Sequence, residues 1–485
     1  MRIKQIILLF IASSFLIVSC SKSRHEEFGR KLSKVYKSKQ YKNFVASDYD
    51  EVFKQELEKL KPELHDPKWI DKIYQQDDNG LILLDEFLVD GKIDSLHQYL
   101  LNAKFHGLNS SFFHADKMTV LLDSLKFTKF KNVSESYPLL AKLELYSADG
   151  LVNYANILKY GAVNPKNIQP NYYVSVDRPN FIDAEKTLDS LDMINFLKKI
   201  QPKNGYYQRL QNLLINDETA EKKLTSDERQ KIYLSMERLR WPVKEYKGKY
   251  LLVNIPEFQL RLIENNTTAL KMKVCVGEAG GHETPILSGM VNRMQVNPVW
   301  NIPESIASTE ILASLKKDSY YLEAKNMVAY KNGELVEASN VDWNNANIDE
   351  YSFKQNPGAD NSLGQIKFIF TNPYAIYLHD TPAQAMFKQD MRAVSHGCIR
   401  VEQPMKLQEF LLNDKSESEK IINETEAASR GQKADSRWVK IQNPVPVFIS
   451  YYTAFTDDNG ALITANDVYG YDKLLLNKFK AYMPN

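Results

Sequence analysis

The chain has little of what marks the specialised classes of protein. Only 3 of its 485 residues are cysteine, so a fold built on many disulfides is excluded. The formal net charge is +1, and the sequence shows no block of lysine and arginine and no repeat period. Because no overall field draws the chain to nucleic acid, we expect no nucleic-acid partner. The composition, 43% hydrophobic and 25% charged, is ordinary for a globular protein with room for two or three domains.

Long apolar runs are also missing, except at the N-terminus. A short positive start precedes an apolar stretch over residues 6–18, which is too short for a comfortable membrane span and typical of a secretory signal. The stretch ends in Leu16-Ile17-Val18-Ser19-Cys20, which resembles a bacterial lipobox. The resemblance implies that residues 1–19 are removed and that Cys20 is acylated, with residues 20–45 as a tether.

An exported protein is therefore expected, lipid-anchored at the cell envelope on the periplasmic side of the inner or outer membrane. A plain signal peptide with an incidental cysteine is the alternative interpretation of Cys20.

Hydrophobic periodicity divides the rest of the chain near residue 245. Before that point apolar residues recur at helical spacing, as at Leu151, Tyr154 and Leu158, with Gly161 as a stop. Further helical stretches are predicted at about 50–61, 80–90, 93–105 and 136–147. Residues 46–245 are thus predicted to form an α-helical domain of several short helices.

After residue 245 the hydrophobic period becomes two, which is typical of strands. Strands are predicted at 251–255, 258–262, 271–276, 364–370, 374–379 and 445–452. The turn Thr371-Asn372-Pro373 favours a β-hairpin. That hairpin places His379 at a strand end, on the same face as Tyr377.

The expected fold class is α+β and multidomain. A mostly β domain is predicted over residues 246–455, followed by a C-terminal extension over 456–485. Residues 302–358 are polar, mixed and partly helical, which indicates an insertion or lid that interrupts the sheet.

One run, Ser395-His396-Gly397-Cys398, has the residues of a reactive site. A cysteine nucleophile needs a thiolate, a base within hydrogen-bonding reach and donors for the developing oxyanion. His396 is two residues from Cys398, and His379 precedes Ser395 with fifteen residues between them. Gly397 leaves the neighbouring backbone N–H groups unobstructed. The pieces of a Cys–His acyl-transfer site are present.

Other interpretations of this run are open. A zinc ion could use His379, His396 and Cys398, with Asp380 as a fourth ligand. Structural zinc sites, however, usually carry paired short spacings such as C-x₂-C, which are missing here. A structural thiol with polar neighbours is a further alternative. We expect no metal and no cofactor.

Two further patterns receive no catalytic role. Cys275 lies in an alternating, strand-like run over 271–276, where a cysteine is most often a small core residue, so a disulfide to Cys398 is not expected. Ser314 and Lys317 fit the S-x-x-K pattern of penicillin-binding acyl-transferases. No S-D-N or K-T-G element accompanies them, and we attribute the match to chance.

The runs Tyr377-Leu378-His379-Asp380-Thr381-Pro382 and Ser395-His396-Gly397-Cys398-Ile399-Arg400-Val401 resemble the catalytic signature of the L,D-transpeptidases. Both the residues and the gap between them match that pattern. Runs at 297–303, 356–364 and 447–455 are similar to the large branch of the family, in which a helical scaffold domain precedes the catalytic domain. The helical half resembles that scaffold.

The resemblance implies a role for two residues in the reaction itself. Cys398 would be the nucleophile, attacking the L-centre carbonyl of the third residue of the peptidoglycan stem peptide and expelling the terminal D-amino acid. His379 would be the general base, taking the thiol proton and later a proton of the acceptor amine.

Four neighbours would support them. His396 and Gly397 would line the site, the glycine through a backbone N–H near the oxyanion, and Ser395 would hold the histidine geometry. Arg400 would meet a substrate carboxylate, with a structural ion pair as its alternative role. Asp380 is given no role beyond turn geometry.

The function implied by the resemblance is cell-wall organisation and control of cell shape by an enzyme that carbapenems acylate. It would form 3→3 cross-links in peptidoglycan or attach another amine to the stem peptide. Hydrolysis of the same acyl-enzyme would make it an L,D-carboxypeptidase, and a silent site would leave a wall-binding lipoprotein. Expected partners are stem peptides, the membrane through the lipid anchor, and other cell-wall enzymes.

Large members of the family often carry a peptidoglycan-binding module between the scaffold and catalytic halves. Here only residues 211–240 stand in that place, too few for a module with its own core. We therefore expect that module to be absent.

Overall fold

The computed structural model describes residues 27–484 except 77–79, 89, 191, 242–247, 266, 434 and 458. The predicted signal peptide, the lipobox residue Cys20 and the predicted domain boundary at residues 245–246 lie outside the described residues. Within the described part of the chain, no helix is both long and apolar enough to span a membrane.

The N-terminal half is helical, as predicted. Its main helices are Ala46–Leu60, Pro67–Gln76, Leu84–Phe87, Lys92–Leu101, Ala115–Phe127, Tyr137–Tyr160, Phe181–Leu188, Met193–Lys199, Gly205–Asp217 and Ser226–Arg240. Most of them pack around one contiguous apolar core that continues into the C-terminal half, while Gly205–Asp217 and part of Ser226–Arg240 bury a separate cluster.

The helix Tyr137–Tyr160 lies at the centre of this half and is buried over most of its length. It joins two stretches that the sequence predicted as separate helices. Gly150 lies inside this helix and does not break it. A Cβ atom at this position would lie 2.5 Å from the carbonyl oxygen of Phe113. The glycine lets a neighbouring segment approach the helix closely. Gly161, with φ +74°, ends the helix as predicted.

The C-terminal half is rich in β-structure, so the expected fold class is confirmed. Its strands are β1 (Tyr250–Asn254), β2 (Gln259–Glu264), β3 (Thr267–Gly277), β4 (Ser288–Val296), β5 (Trp300–Asn301), β6 (Met327–Lys331), β7 (Glu334–Val336), β8 (Tyr351–Gln355), β9 (Ile366–Phe370), β10 (Leu378–His379), β11 (Ala393–Ser395), β12 (Ile399–Val401), β13 (Arg437–Ser450), β14 (Ala454–Thr456) and β15 (Leu462–Thr464). Helices Pro404–Leu412 and Lys415–Ser429 separate β12 from β13.

Nine of these strands form one mixed sheet in the order β11-β3-β12-β10-β9-β4-β13-β1-β2. Because β2 also pairs with β3, the sheet closes on itself. The predicted hairpin is present, with Leu378 of β10 opposite Phe368 of β9. Its second strand is shorter than predicted, because the side chain of Asn372 accepts the N–H of Ile376 and Ala375 has φ +54°. These two residues turn the chain into a loop before β10.

The predicted lid is a subdomain with its own core. Strands β5, β8, β6 and β7 form a small sheet in that order, and short helical turns cover residues 304–324. Trp343 and Phe353 are buried in an apolar cluster separate from the main core. The sequence predicted the helical part but not this sheet, because its strands are short and separated by polar turns.

The segments that precede and follow the large sheet in the chain contact both the helical half and the β-rich half. Residues 211–240 comprise the end of helix Gly205–Asp217, a connecting loop and helix Ser226–Arg240, and both helices pack against β14. Arg238 forms a buried ion pair with Asp472, in the C-terminal helix Tyr471–Phe479. The residues between the scaffold and the sheet therefore contact both halves.

Candidate active site

A row of side chains crosses the sheet and ends beside the motif cysteine. The strand register places Arg400 opposite both Cys275 and His379, and places His379 opposite Lys367. Because directly paired residues point to the same face of a sheet, these four side chains share one face. Cys398 lies in the bend just before β12 and interacts electrostatically with Arg400 and Lys367 of this row. The fold thus places the predicted nucleophile and the predicted base beside the same two cations.

The turn that presents Cys398 depends on Gly397. Its φ is +108°, a backbone conformation that residues with a Cβ atom rarely adopt. Space is not the constraint, since a Cβ atom would meet the Cδ1 atom of Ile376 at 3.5 Å, an ordinary contact. The glycine is therefore required by the backbone angle of the turn.

The side chain of Ser395 holds the backbone of the turn. The role predicted from the sequence, holding the geometry of a histidine, is corrected accordingly. The hydroxyl of Ser395 donates to the carbonyl of Cys398 at 2.6 Å and accepts the N–H of Gly397 at 3.2 Å. The predicted oxyanion donor, the N–H of Gly397, is therefore already engaged. Thr284 completes the turn by donating from Oγ1 to the carbonyl of Gly397 at 2.8 Å.

The C-terminal segment reaches this turn through a tyrosine. The hydroxyl of Tyr469 donates to the carbonyl of Gly277 at 2.6 Å and accepts the N–H of Thr284 at 3.2 Å. The N–H of Gly277 in turn donates to Oγ1 of Thr284 at 2.8 Å. Residues predicted to be a mere extension therefore support the catalytic motif.

His379 lies at the end of β10, on the same face as Tyr377, as predicted; the two ring centroids are 5.6 Å apart. Its Nδ1 lies 2.5 Å from the carbonyl oxygen of Asp380 and so carries the proton. Burial, together with the nearby guanidinium of Arg400, lowers the pKa of His379 to about 3. The ring is therefore neutral at ordinary pH, and its Nε2 is left with a lone pair that can accept a proton.

Cys398 is half-buried and not disulfide-bonded. Its sulfur lies 3.8 Å from the carbonyl oxygen of Ala375, and the backbone N–H and hydroxyl of Tyr377 both interact with it. Burial raises the pKa of the Cys398 thiol, while Tyr377, Arg400 and Lys367 oppose that increase. The thiol thus needs a base at neutral pH, and the surrounding donors favour the thiolate once it forms.

Within the part of the chain that the structure describes, Arg400 forms no ion pair with a carboxylate. Its Nη1 atom contacts the sulfur of Met386 at 3.5 Å, and its Nε atom is buried without a hydrogen-bond partner among the described residues. Burial lowers the pKa of Arg400, and the thiols of Cys275 and Cys398 and the carboxylate of Glu310 oppose that decrease. A cation with an unused donor therefore lies on the floor of the site.

His396 connects the motif to the lid. Its Nε2 atom lies 2.9 Å from Oε1 of Glu310, which stands on the helical turn Ala307–Ile311. Its ring also packs edge-on against His282, with centroids 4.7 Å apart. The partners of His396 thus come from the lid and from the loop after β3.

The described residues bring together one group of three potential metal ligands, His65, His114 and Asp149, in the helical half. Nδ1 of His65 and Nε2 of His114 lie 2.7 and 2.8 Å from the same carboxylate oxygen. The second oxygen of Asp149 accepts the N–H of His65 at 3.1 Å. Although burial raises the pKa of Asp149, the two imidazoles bring it down to about 2. The group satisfies itself through hydrogen bonds and stabilises the buried carboxylate.

Two family models match the chain. Residues 248–433 match the YkuD model, the L,D-transpeptidase catalytic domain, and residues 68–214 match the Scaffold domain. The chain therefore contains an L,D-transpeptidase catalytic domain together with a Scaffold domain, as the resemblance implied.

A Haemophilus influenzae protein, provisionally named an L,D-transpeptidase, is 30% identical over 289 residues, which are 59% of this chain and 56% of that protein. The chain thus matches little more than half the length of this relative. L,D-transpeptidase 1 of Mycobacterium tuberculosis is 11% identical, with 42% of this chain and 61% of that chain covered and a TM-score of 0.17. The Ldtfm–avibactam carbamoyl enzyme is 11% identical, with 47% and 63% covered and a TM-score of 0.21. Both TM-scores are low, so the two structures overlap with this chain only to a small extent.

Several residues of the site were not predicted from the sequence. Lys367 lies one strand away from His379, and Glu310 is distant in sequence from the motif. Thr284 and Tyr469 act on the turn from opposite ends of the catalytic half. None of these residues lies in a recognisable pattern, and only strand register or tertiary packing brings them to the motif.

Proposed function

We propose that the protein is a cysteine-dependent L,D-transpeptidase that forms 3→3 cross-links in peptidoglycan or attaches another amine to the stem peptide. The observation that carries this proposal is that Cys398 and His379 lie beside the same two cations, Arg400 and Lys367, with a neutral imidazole anchored through Nδ1. That arrangement supplies a nucleophile and a base without a metal ligand set.

The first half of the reaction is acylation. The Nε2 atom of His379 accepts the thiol proton as the sulfur of Cys398 attacks the L-centre carbonyl of the third stem residue. A C–S bond forms, and the carbonyl becomes a tetrahedral oxyanion. When the oxyanion collapses, the C–N bond to the terminal D-amino acid breaks, and the protonated His379 gives its proton to the leaving amine. The product is a thioester on Cys398.

Tyr377 is the residue we propose for oxyanion stabilisation. Its backbone N–H and hydroxyl are both directed at the sulfur of Cys398, whereas the N–H of Gly397 is held by Ser395. Donors placed beside the nucleophile are close to where negative charge develops. The cations of Arg400 and Lys367 add to the favourable field.

The second half is transfer to an amine. The acceptor nitrogen attacks the thioester carbonyl while His379 takes a proton from it, and the sulfur leaves with that proton to restore the thiol. If water replaces the amine, the same steps produce a tripeptide, which is the carboxypeptidase alternative.

The decisive experiment incubates the purified protein with tetrapeptide muropeptides and separates the products by mass. Dimers joined through third residues support the transpeptidase, and tripeptides alone would identify a carboxypeptidase. Unchanged substrate with the wild-type protein would overturn the enzymatic proposal and leave a wall-binding protein. Cys398→Ala is the control that has to abolish either product.

We also propose that the protein is exported and anchored through an acylated Cys20. The lipobox-like run before this residue is the support for the anchor. The Cys20→Ser variant is expected either to keep its signal peptide or to be released as soluble protein. A wild-type chain whose mature N-terminus carries no lipid would contradict this proposal.

A further inference from the structure

The lid places one carboxylate over a site whose floor is cationic. Glu310 faces His396 at 2.9 Å and interacts electrostatically with Arg400. On the floor, Arg400 and Lys367 lie on either side of His379 in adjacent strands. Within the described residues, neither cation forms an ion pair with a carboxylate. The opening beside Cys398 therefore has a negative lid above a positive floor.

This arrangement matches the chemistry of an amino-acid zwitterion. On the proposed function, such a zwitterion is carried by any donor whose third stem residue is a diamino acid with an ammonium and a carboxylate on the terminal carbon of its side chain. Cys398 lies in the bend that leads into β12, two residues before Arg400, and the two side chains interact electrostatically. A side chain whose first carbon bears the carbonyl attacked by Cys398 can therefore extend along the strand and reach Arg400 with its carboxylate.

We propose that Glu310 binds the side-chain ammonium of the donor diamino acid, while Arg400 binds its carboxylate, so that the lid and the sheet together recognise the zwitterion. This inference rests on the proposed function and adds a substrate-specificity residue to it.

The present partner of Glu310 does not prevent this. The side chains of Glu310 and His396 are 56% and 39% exposed, and ion pairs with that exposure contribute about 0–1 kcal/mol. A substrate ammonium that enters between lid and sheet is partly removed from water, and its pairing with Glu310 is correspondingly stronger. The substrate therefore exchanges a weak contact for a stronger one and draws the lid over the acyl-enzyme.

The test measures binding to the inactive Cys398→Ala protein. Two tetrapeptide donors are compared, one with the free side-chain amine and one in which that amine is acetylated. Acetylation removes the positive charge and leaves the carboxylate. With Glu310 intact, the free-amine donor is expected to bind roughly five- to ten-fold more tightly. With Glu310→Gln added, that preference is expected to disappear, while the affinity for the acetylated donor stays the same.

Glu323→Gln is the matched control, since Glu323 is an exposed carboxylate on another short helix of the same lid. It removes the same charge and is expected to keep the preference. Equal affinity for both donors with Glu310 intact would overturn the inference, as would a preference that survives Glu310→Gln or is lost in Glu323→Gln. Failure of the proposed function has a different signature, because the wild-type protein would then form no acyl-enzyme with either donor.

Discussion

Arg400 lies directly opposite His379 where β12 and β10 pair in parallel. A guanidinium at this position disfavours the protonated imidazole and adds to the effect of burial on the pKa of His379. The same cation lies two residues from Cys398 and favours the thiolate. One residue therefore keeps the base neutral and makes the nucleophile easier to ionise.

The pH dependence of acylation follows from these shifts. Because the pKa of His379 is about 3, its ring is unprotonated throughout the neutral range, and because the thiol pKa is raised, the thiolate fraction grows with pH. The rate of carbapenem adduct formation is expected to rise from about pH 5 to about pH 10 without a break near 6.5. Mass spectrometry of the adduct over time measures that rate. A break near 6.5 that disappears in His379→Ala would contradict this assignment.

Removing the base is expected to slow the reaction without unfolding the protein. His379→Ala should lower the rate of carbapenem acylation by roughly 10²–10⁴-fold, the usual contribution of a general base. His396→Ala should also lower it, through loss of the contact with Glu310 and not through proton transfer. The melting temperature controls for folding. An unchanged rate in His379→Ala would make His396 the better candidate for the base.

The two cysteines of the catalytic half should respond differently to substitution. Cys398→Ala is expected to fold normally and form no carbapenem adduct. Cys275 is fully buried opposite Arg400, and burial raises the pKa of its thiol to about 11, so it stays protonated. Cys275→Ala should keep the adduct and cost on the order of 1–2 kcal/mol of stability for the small cavity. Adduct mass and melting temperature are the two measurements, and an adduct that depends on Cys275 would contradict the assignment.

The backbone of the catalytic turn can be tested with a pair of glycine variants. Gly397→Ala forces a Cβ atom onto a residue with φ +108°, a strain of about 1–3 kcal/mol, and should displace Cys398 and reduce acylation. Gly333→Ala is the control, because Gly333 has φ +92° in the lid and nothing near it. We expect both variants to lower the melting temperature and only the first to slow acylation. Equal effects on acylation would show that the turn is not what matters.

The ion pair between Arg238 and Asp472 is expected to be a major link between the halves. Their side chains are 2% and 9% exposed, so replacing one partner leaves a buried charge uncompensated. Arg238→Met should therefore cost about 3–5 kcal/mol, measured by denaturant unfolding. Arg238→Met with Asp472→Leu should recover part of that loss. A double variant as unstable as the single one would indicate that the arginine acts through packing alone.

The sequence predicted the candidate reactive residues of the site better than the contacts that hold them in place. Cys398 and His379 could be paired from the motif, because their spacing fits a strand, a loop and a second strand. The role of Ser395 was predicted wrongly, because a hydroxyl that serves the turn and one that orients a ring look the same in sequence. Glu310 and Lys367 could not be found, since their positions depend on lid packing and on the register of β9 with β10.

The fold, too, was predicted in part from the sequence. Hydrophobic periodicity identified the helical half and most strands of the large sheet, because both have long periodic segments. It divided the helix Tyr137–Tyr160 into two stretches on either side of Gly150. The packing of this glycine against the carbonyl oxygen of Phe113 is not visible in the sequence. The sheet of the lid was missed for the opposite reason, since its strands are too short to show a period.

Strand β13 has a consequence for the order in which the molecule is made. It lies between β4 and β1 in the closed sheet, yet it begins at Arg437, beyond the last residue of the matched catalytic domain. A chain still emerging from the ribosome therefore has two open sheet edges until this strand arrives. The support that Tyr469 gives to the turn comes later still. Assembly of the reactive thiol site thus waits for residues well beyond the matched catalytic domain.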